Sequence, residues 1–172
     1  MNILRLRIGG QALKSLTVHA TKGFETRYKR EVGGHLLGYR CKDGFYVSMA
    51  VPYNTPYTSR TAWGINQYNF RKKGLRLETE RMKWIGTYHS HVEINRSAST
   101  GQSREDKEAH LFFEAPVDII LRITTYRMRA PTACLSYKST RNSHVYYYGI
   151  CGYVKDPRGK IARMTVECAV RK

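Results

Sequence analysis

What most restricts the fold of this chain is its repeated return to short β-prone runs, each closed off by glycine, proline or asparagine. NILRLRIGG, EVGGHLLGYR, GFYVSMAVPY, KWIGTY, VDIILRITTY, TACLSY, HVYYYGICGYV and RMTVECAV all have strand length and strand composition. The turn signal Lys42-Asp43-Gly44 makes a hairpin of the second and third runs. Fewer segments read as helix. From about Gln11 to Arg30, Leu13, Leu16 and Phe24 recur amid polar residues as on an amphipathic helix, with Gly23 placed to interrupt it. LRLETERM reads as a short helix, and SREDKEAHLFFEA as a helix capped by Ser103, because Ser-x-x-Asp before an apolar stretch is a helix-start pattern. The stretch from Asn54 to about Lys73 lacks periodicity while it gains aromatic and basic residues. These segments together predict a mixed α/β fold.

A chain of 172 residues suits one domain, read as residues 1–172. No long apolar run occurs, and MNILRLRIGG lacks the apolar core of a signal peptide, so a cytoplasmic protein with no membrane association is expected. Cys41, Cys134, Cys151 and Cys168 are too far apart for a CxxC metal or redox motif and read as buried free thiols. The 30 Lys and Arg against 13 Asp and Glu leave a net charge of +17, which favours acidic partners. The basic residues are dispersed, and no helix-turn-helix, zinc-finger or RNP-type motif accompanies them. An acidic protein surface therefore fits at least as well as nucleic acid, and a basic surface serving only solubility is the plain alternative.

His89 and His91 carry the most specific chemistry. On an extended backbone, residues two apart point the same way, so both imidazoles can meet one ion. A carboxylate is an ordinary third ligand for catalytic zinc, and Asp106 near the first turn of the following helix can supply it. Fourteen residues separate His91 from Asp106. Hydrolysis of an amide also needs a base to take a proton from water and pass it to the leaving amine. Glu31, opening an apolar glycine-containing strand, is positioned for that role or is a junction residue facing solvent. Ser103 reads as a helix cap, and its hydroxyl could also donate to a developing oxyanion.

Glu31 followed by GGHLLG, then His89-Ser90-His91, then Ser103-Arg104-Glu105-Asp106 resembles the JAB/MPN (JAMM) zinc metalloprotease family over roughly residues 1–126. The loop between His91 and Asp106 is about four residues longer than is usual in the family, which puts Ser99 and Gln102 at the usual spacing of the third ligand; a neutral amide binds zinc less well than an anionic oxygen, so Asp106 is preferred, with the extra residues looped out among Asn95, Ser97, Ser99 and Gly101. Val92 stands where proline is common. The resemblance implies the cytidine deaminase-like JAB/MPN fold, a curved mixed β-sheet flanked by helices. It also implies Zn2+ on His89, His91 and Asp106, with Glu31 as general base and acid and Ser103 as oxyanion donor. Members cleave peptide or isopeptide bonds after the C-terminus of ubiquitin or a ubiquitin-like protein. The compact chain resembles the free-standing bacterial JAB peptidases, which accompany E1-like and E2-like enzymes in conjugation systems, antiphage operons among them. The implied function is thus deconjugation of a ubiquitin-like protein or processing of its precursor. Two other classes remain beside it: a catalytically silent MPN-type binding module, and a basic nucleic-acid-binding protein. Within the irregular stretch, Trp63 or Tyr68 is expected to cover the modifier's tail while Arg60, Arg71, Lys72 or Lys73 meets acidic surfaces, unless Trp63 and Phe70 only anchor the loop.

Overall fold

The computed structural model describes residues 4–169. The first residues of the strand expected from Asn2, and Val170 at the end of the last one, lie outside the described residues. Strand β1 (Arg5–Gly9) leads into helix α1 (Gly10–Phe24), then strands β2 (Gly33–Cys41) and β3 (Gly44–Pro52). Helix α2 (Gln67–Arg76), strand β4 (Lys83–Val92) and helix α3 (Arg104–Phe112) follow. Strands β5 (Val117–Thr124), β6 (Leu135–Arg141), β7 (His144–Lys155) and β8 (Ile161–Ala169) complete the described chain.

The sheet runs β5-β4-β2-β3-β1-β8-β7, and β7 then pairs back onto β5, so seven strands close into a barrel while β6 pairs with β7 outside the ring. The expected helix-flanked α/β sheet of JAB/MPN (cytidine deaminase-like) type is therefore wrong: the molecule is mostly β, and its sheet is closed. Closure comes from β5, which lies parallel to β4 along one edge and antiparallel to β7 along the other, from Val117↔Val154 to Thr124↔Tyr147. Both edges of β5 are thereby paired, which leaves no open end to the ring.

Helix α1 packs against the inner face of the ring. Its Leu13, Leu16 and Ala20 share one buried cluster with Leu6, Leu36, Ile119, Leu121 and Tyr148, which come from both halves of the barrel. Lys14, Val18 and Lys22, one turn apart, stay exposed on the other side. Among the inner polar groups, Thr21 and Tyr148 join hydroxyl to hydroxyl at 2.7 Å. The helix stops at Phe24 rather than running to Arg30, because the Gly23 carbonyl accepts from Thr26 Oγ1 and from the Arg30 amide, which turns the chain out of the helix.

A second, smaller cluster lies outside the barrel, where Phe70, Phe113, Leu37, Trp84 and Ala115 fasten α2 and α3 to β2 and β4. Two further expectations need correction here. LRLETERM is not a helix of its own, since α2 forms earlier, inside the stretch read as irregular, and ends at Arg76. Asn66 starts it by accepting the Asn69 amide. Its apolar signal is thin because Gly74 takes one of the buried positions: a Cβ there would lie 2.7 Å from the Trp84 ring and 3.0 Å from His35 Nδ1. Cys134 and Cys151 are joined in a disulfide rather than free, and only Cys41 and Cys168 remain as thiols. Among the described residues, no helix is long and apolar enough to cross a membrane.

Candidate metal centre

The outer face of the β2–β4–β5 region carries the site. In β4 the side chains alternate, with Tyr88 turned into the barrel core and Thr87, His89 and His91 turned outward. Across the antiparallel pairing Gly33 faces His89, which brings Glu31 alongside His91. This junction is stitched twice: the Ser90 amide donates to the Val32 carbonyl at 2.7 Å, and the Val32 amide donates to Ser90 Oγ at 2.9 Å. Glu31, whose own amide donates to the Ser59 carbonyl, is 7% exposed and lines the cavity, so it is not a solvent-facing junction residue.

Helix α3 supplies the carboxylate. Ser103 and Asp106 form a capping box: Asp106 N donates to Ser103 Oγ at 3.1 Å, and Ser103 N donates to Asp106 Oδ2 at 2.7 Å. The same carboxylate points at β4, with Oδ1 at 3.0 Å from His89 Nε2 and Oδ2 at 3.4 Å from His91 Nε2. The two imidazole Nε2 atoms are 3.1 Å apart. The long connection from His91 is absorbed by a tight turn at Asn95 and Arg96, both left-handed, under the paired Ile94 and Ser97. Gln102 is turned away from the cluster and donates to Asp118 Oδ2 at 2.7 Å.

These three residues could hold a metal ion. Four ligands at zinc–nitrogen or zinc–oxygen distances of about 2.0–2.1 Å in a tetrahedron stand about 3.3 Å from one another. The Nε2 atoms of His89 and His91, 3.1 Å apart, match one such edge, and each has an Asp106 oxygen close by, Oδ1 at 3.0 Å from His89 and Oδ2 at 3.4 Å from His91. Two imidazoles and one carboxylate also make a three-ligand set of the kind that leaves a fourth position free.

Burial shapes the charges. The Glu31 carboxyl is pushed up to about 7, chiefly by desolvation, against the opposing pull of His91 and His89. His89 loses by burial but gains more from its bond to Asp106 and from the charges of Asp118, Asp106 and Glu31, and ends near 9. Asp106 is held well below the usual carboxylate range, its own burial being outweighed by the bonds from His89 and His91.

Above the cluster opens a cavity of about 680 Å³, walled by the segment from Thr61 to Ile65 on one side and by the Ile94–Ser99 hairpin and α3 on the other. Trp63 stands nearly parallel to the His89 ring, at 6.3 Å between centroids, and edge-on to Phe70. Its indole lies against Gly33, where a Cβ would come within 2.7 Å of the ring, so Trp63 both anchors its loop and walls the cavity. Tyr68 is 71% exposed on α2, and Arg71 donates to Glu114 at 2.9 Å. Neither borders the cavity, and nor do Arg60, Lys72 and Lys73. Asp118 is a site residue that sequence reading missed; its only signal was a lone carboxylate opening the apolar run of β5.

No family model and no curated protein matches the chain. Among solved structures it is similar to the solution structure of protein DSY2949 from Desulfitobacterium hafniense. The two are 16% identical, the match covers 96% of this chain and 94% of that one, and the TM-score is 0.54. At that identity the likeness concerns the fold alone.

Proposed function

We propose that the chain is a zinc-dependent peptidase or isopeptidase that cuts after the C-terminus of a ubiquitin-like protein, either releasing it from targets or trimming its precursor. The observation that supports this most is the convergence, in one cavity, of His89, His91 and Asp106, close enough to hold one metal ion, with the buried carboxyl of Glu31. The reading rests on these residues, which follow the order and residue types of the JAB/MPN metalloprotease signature, and not on the sheet.

The chemistry that zinc supplies when held by His89, His91 and Asp106 is Lewis acidity toward oxygen. Everything else falls to the chain. Glu31, buried in the cavity beside the ligand cluster, can take a proton from the attacking water and return it to the leaving amine. Ser103 accepts the Asp106 amide through its oxygen and keeps its hydroxyl hydrogen to donate to a developing oxyanion. Trp63 and the Ile94–Ser99 hairpin wall the cavity in which an extended tail would lie. The charge of +17 suits acidic surfaces on the modifier, on its target, or on E1-like and E2-like enzymes of the same conjugation system, in the cytoplasm of a cell that uses it for deconjugation or antiphage defence.

The test is metal content followed by turnover. Purified protein should carry about one zinc per chain and release aminocoumarin from the C-terminus of a ubiquitin-fold protein. His89→Ala and His91→Ala should lose both properties. Asp106→Ala should lose zinc while Gln102→Ala loses much less. Full zinc occupancy in the histidine variants would overturn the site, and zinc binding without cleavage would favour a silent binding module.

A further inference from the structure

Beneath the metal cluster lies a second layer of polar groups that the proposed reaction does not use. Asp118, on β5, is 3% exposed and stands beside Thr87 in the parallel β4–β5 register. Its two oxygens are held separately: Thr87 Oγ1 donates to Oδ1 at 2.8 Å, and Gln102 Nε2 donates to Oδ2 at 2.7 Å. Gln102 is fixed in turn by His110 of α3. His110 Nε2 lies 2.8 Å from the Pro116 carbonyl, which can only accept, so Nε2 carries the hydrogen and Nδ1 accepts from Gln102 Nε2 at 3.1 Å. Both hydrogens of the Gln102 amide are then committed, one to Asp118 and one to His110. Burial lowers the pKa of His110, in keeping with a neutral ring in this role.

This network joins the elements that carry the proposed ligands. Thr87 belongs to β4, two residues before His89, and Gln102 immediately precedes the Ser103 cap of the helix that presents Asp106. Asp118 Oδ1 lies 4.0 Å from His89 Nδ1, on the side of the ring away from Asp106. That separation exceeds hydrogen-bond length, so the pairing here is electrostatic. A carboxylate on that side favours keeping the hydrogen on Nδ1, so that Nε2, facing His91 and Asp106, is the nitrogen that gives up its proton when a metal binds. A ligand imidazole backed by a carboxylate is a recurrent arrangement in metal sites, and its loss typically costs ten- to a hundredfold in metal affinity.

We infer that Asp118, clamped by Thr87 and Gln102, is a positioning residue that sets the tautomer and ring orientation of His89 for metal binding. The inference rests on the metal reading of His89, His91 and Asp106.

Competition between the protein and a chromogenic chelator for zinc tests it, with thermal unfolding measured on the same samples. Wild-type protein that fails to bind zinc would overturn the metal reading and this inference with it. If wild type binds, Asp118→Asn should lower zinc affinity about ten- to a hundredfold while the metal-free protein keeps its melting temperature within a few degrees. Its amide oxygen can still accept from Gln102 Nε2, and its NH2 can donate to Thr87 Oγ1, which as a hydroxyl can also accept. Asp118→Glu, which restores the charge, should recover part of the affinity. Thr87→Val leaves the charge but frees the carboxylate, and should weaken zinc binding by a smaller factor, which keeps the question open to measurement if Asp118→Asn does not fold. Folded Asp118→Asn that binds zinc as tightly as wild type would overturn the positioning role and leave the metal reading standing. Equal affinity in folded Thr87→Val, should Asp118→Asn not fold, would overturn it as well.

Discussion

Glu31 separates binding from chemistry at the scale of single residues. It borders the cavity without belonging to the three-atom ligand cluster, so Glu31→Gln should keep zinc and fold yet lose turnover on the order of 10² or more, because an amide cannot carry the proton. Near-normal cleavage by that variant would remove Glu31 from the mechanism. His35 makes a prediction of another kind. It is fully buried among Phe70, Tyr53 and Trp84, stacked on Phe70 at 3.9 Å, and neither ring nitrogen has a hydrogen-bond partner. Burial lowers its pKa from 6.5 to about 4, so the unfolded chain takes up the proton first as the pH falls. The stability this residue preserves is complete above pH 6.5 and is lost progressively down to about pH 4, an effect on the order of 3 kcal/mol. His19, lowered to about 4 chiefly by burial, acts with the same sign. In urea unfolding, His35→Phe should therefore lose less stability between pH 7 and pH 4.5 than wild type does. An unchanged pH dependence would show that the buried ring titrates normally.

Helix α3 is the element on which capping and the proposed metal binding meet. The Asp106 carboxylate closes the capping box and faces both histidines, and Ser103 holds the other half of the box. Ser103→Ala should cost about 1 kcal/mol through the lost cap. Because the cap also orients Asp106, zinc affinity should fall with it, and turnover at saturating zinc should fall further if the hydroxyl serves the oxyanion. Chemical denaturation, zinc competition and kcat measured on one preparation separate the three effects. Stability and zinc binding equal to wild type would mean that the box contributes nothing to the placement of Asp106. Helix α2 shows the opposite case: its basic residues lie away from the cavity, with Arg71 paired to Glu114 and Lys72 and Lys73 set over the rings of Tyr68 and Tyr53.

At the scale of the whole molecule, β7 is the strand that closes the barrel, and it also receives the disulfide from Cys134. The bridged cysteines are 17 residues apart, and a loop of that size is worth roughly 3 kcal/mol in the chain-entropy account. Cys134→Ser with Cys151→Ser should lower the unfolding free energy by about that amount, and reduced wild type should match it. Equal stability of oxidised and reduced protein would show that the bridge does not form in solution.

Local chemistry is legible in the sequence itself. The hairpin at Lys42-Asp43-Gly44, the start of α3 at Ser103, and the outward pair His89 and His91 follow from turn residues, capping preferences and the two-residue period of a strand, all of which act over a few neighbours. The preference for Asp106 over Gln102 is likewise a matter of ligand chemistry, and the folded chain brings Asp106 to both histidines. What the tertiary structure alone decided depends on contacts between distant segments. Nothing in the composition of β5 tells whether its second edge stays open or meets β7, so an open sheet and a closed barrel are indistinguishable from the pattern of strands. The helix α2 is hidden in the sequence because its buried positions, Phe70 and Gly74, acquire meaning only against Trp84 and His35. Asp118 is a stray charge in an apolar strand until folding sets it between Thr87, Gln102 and His89.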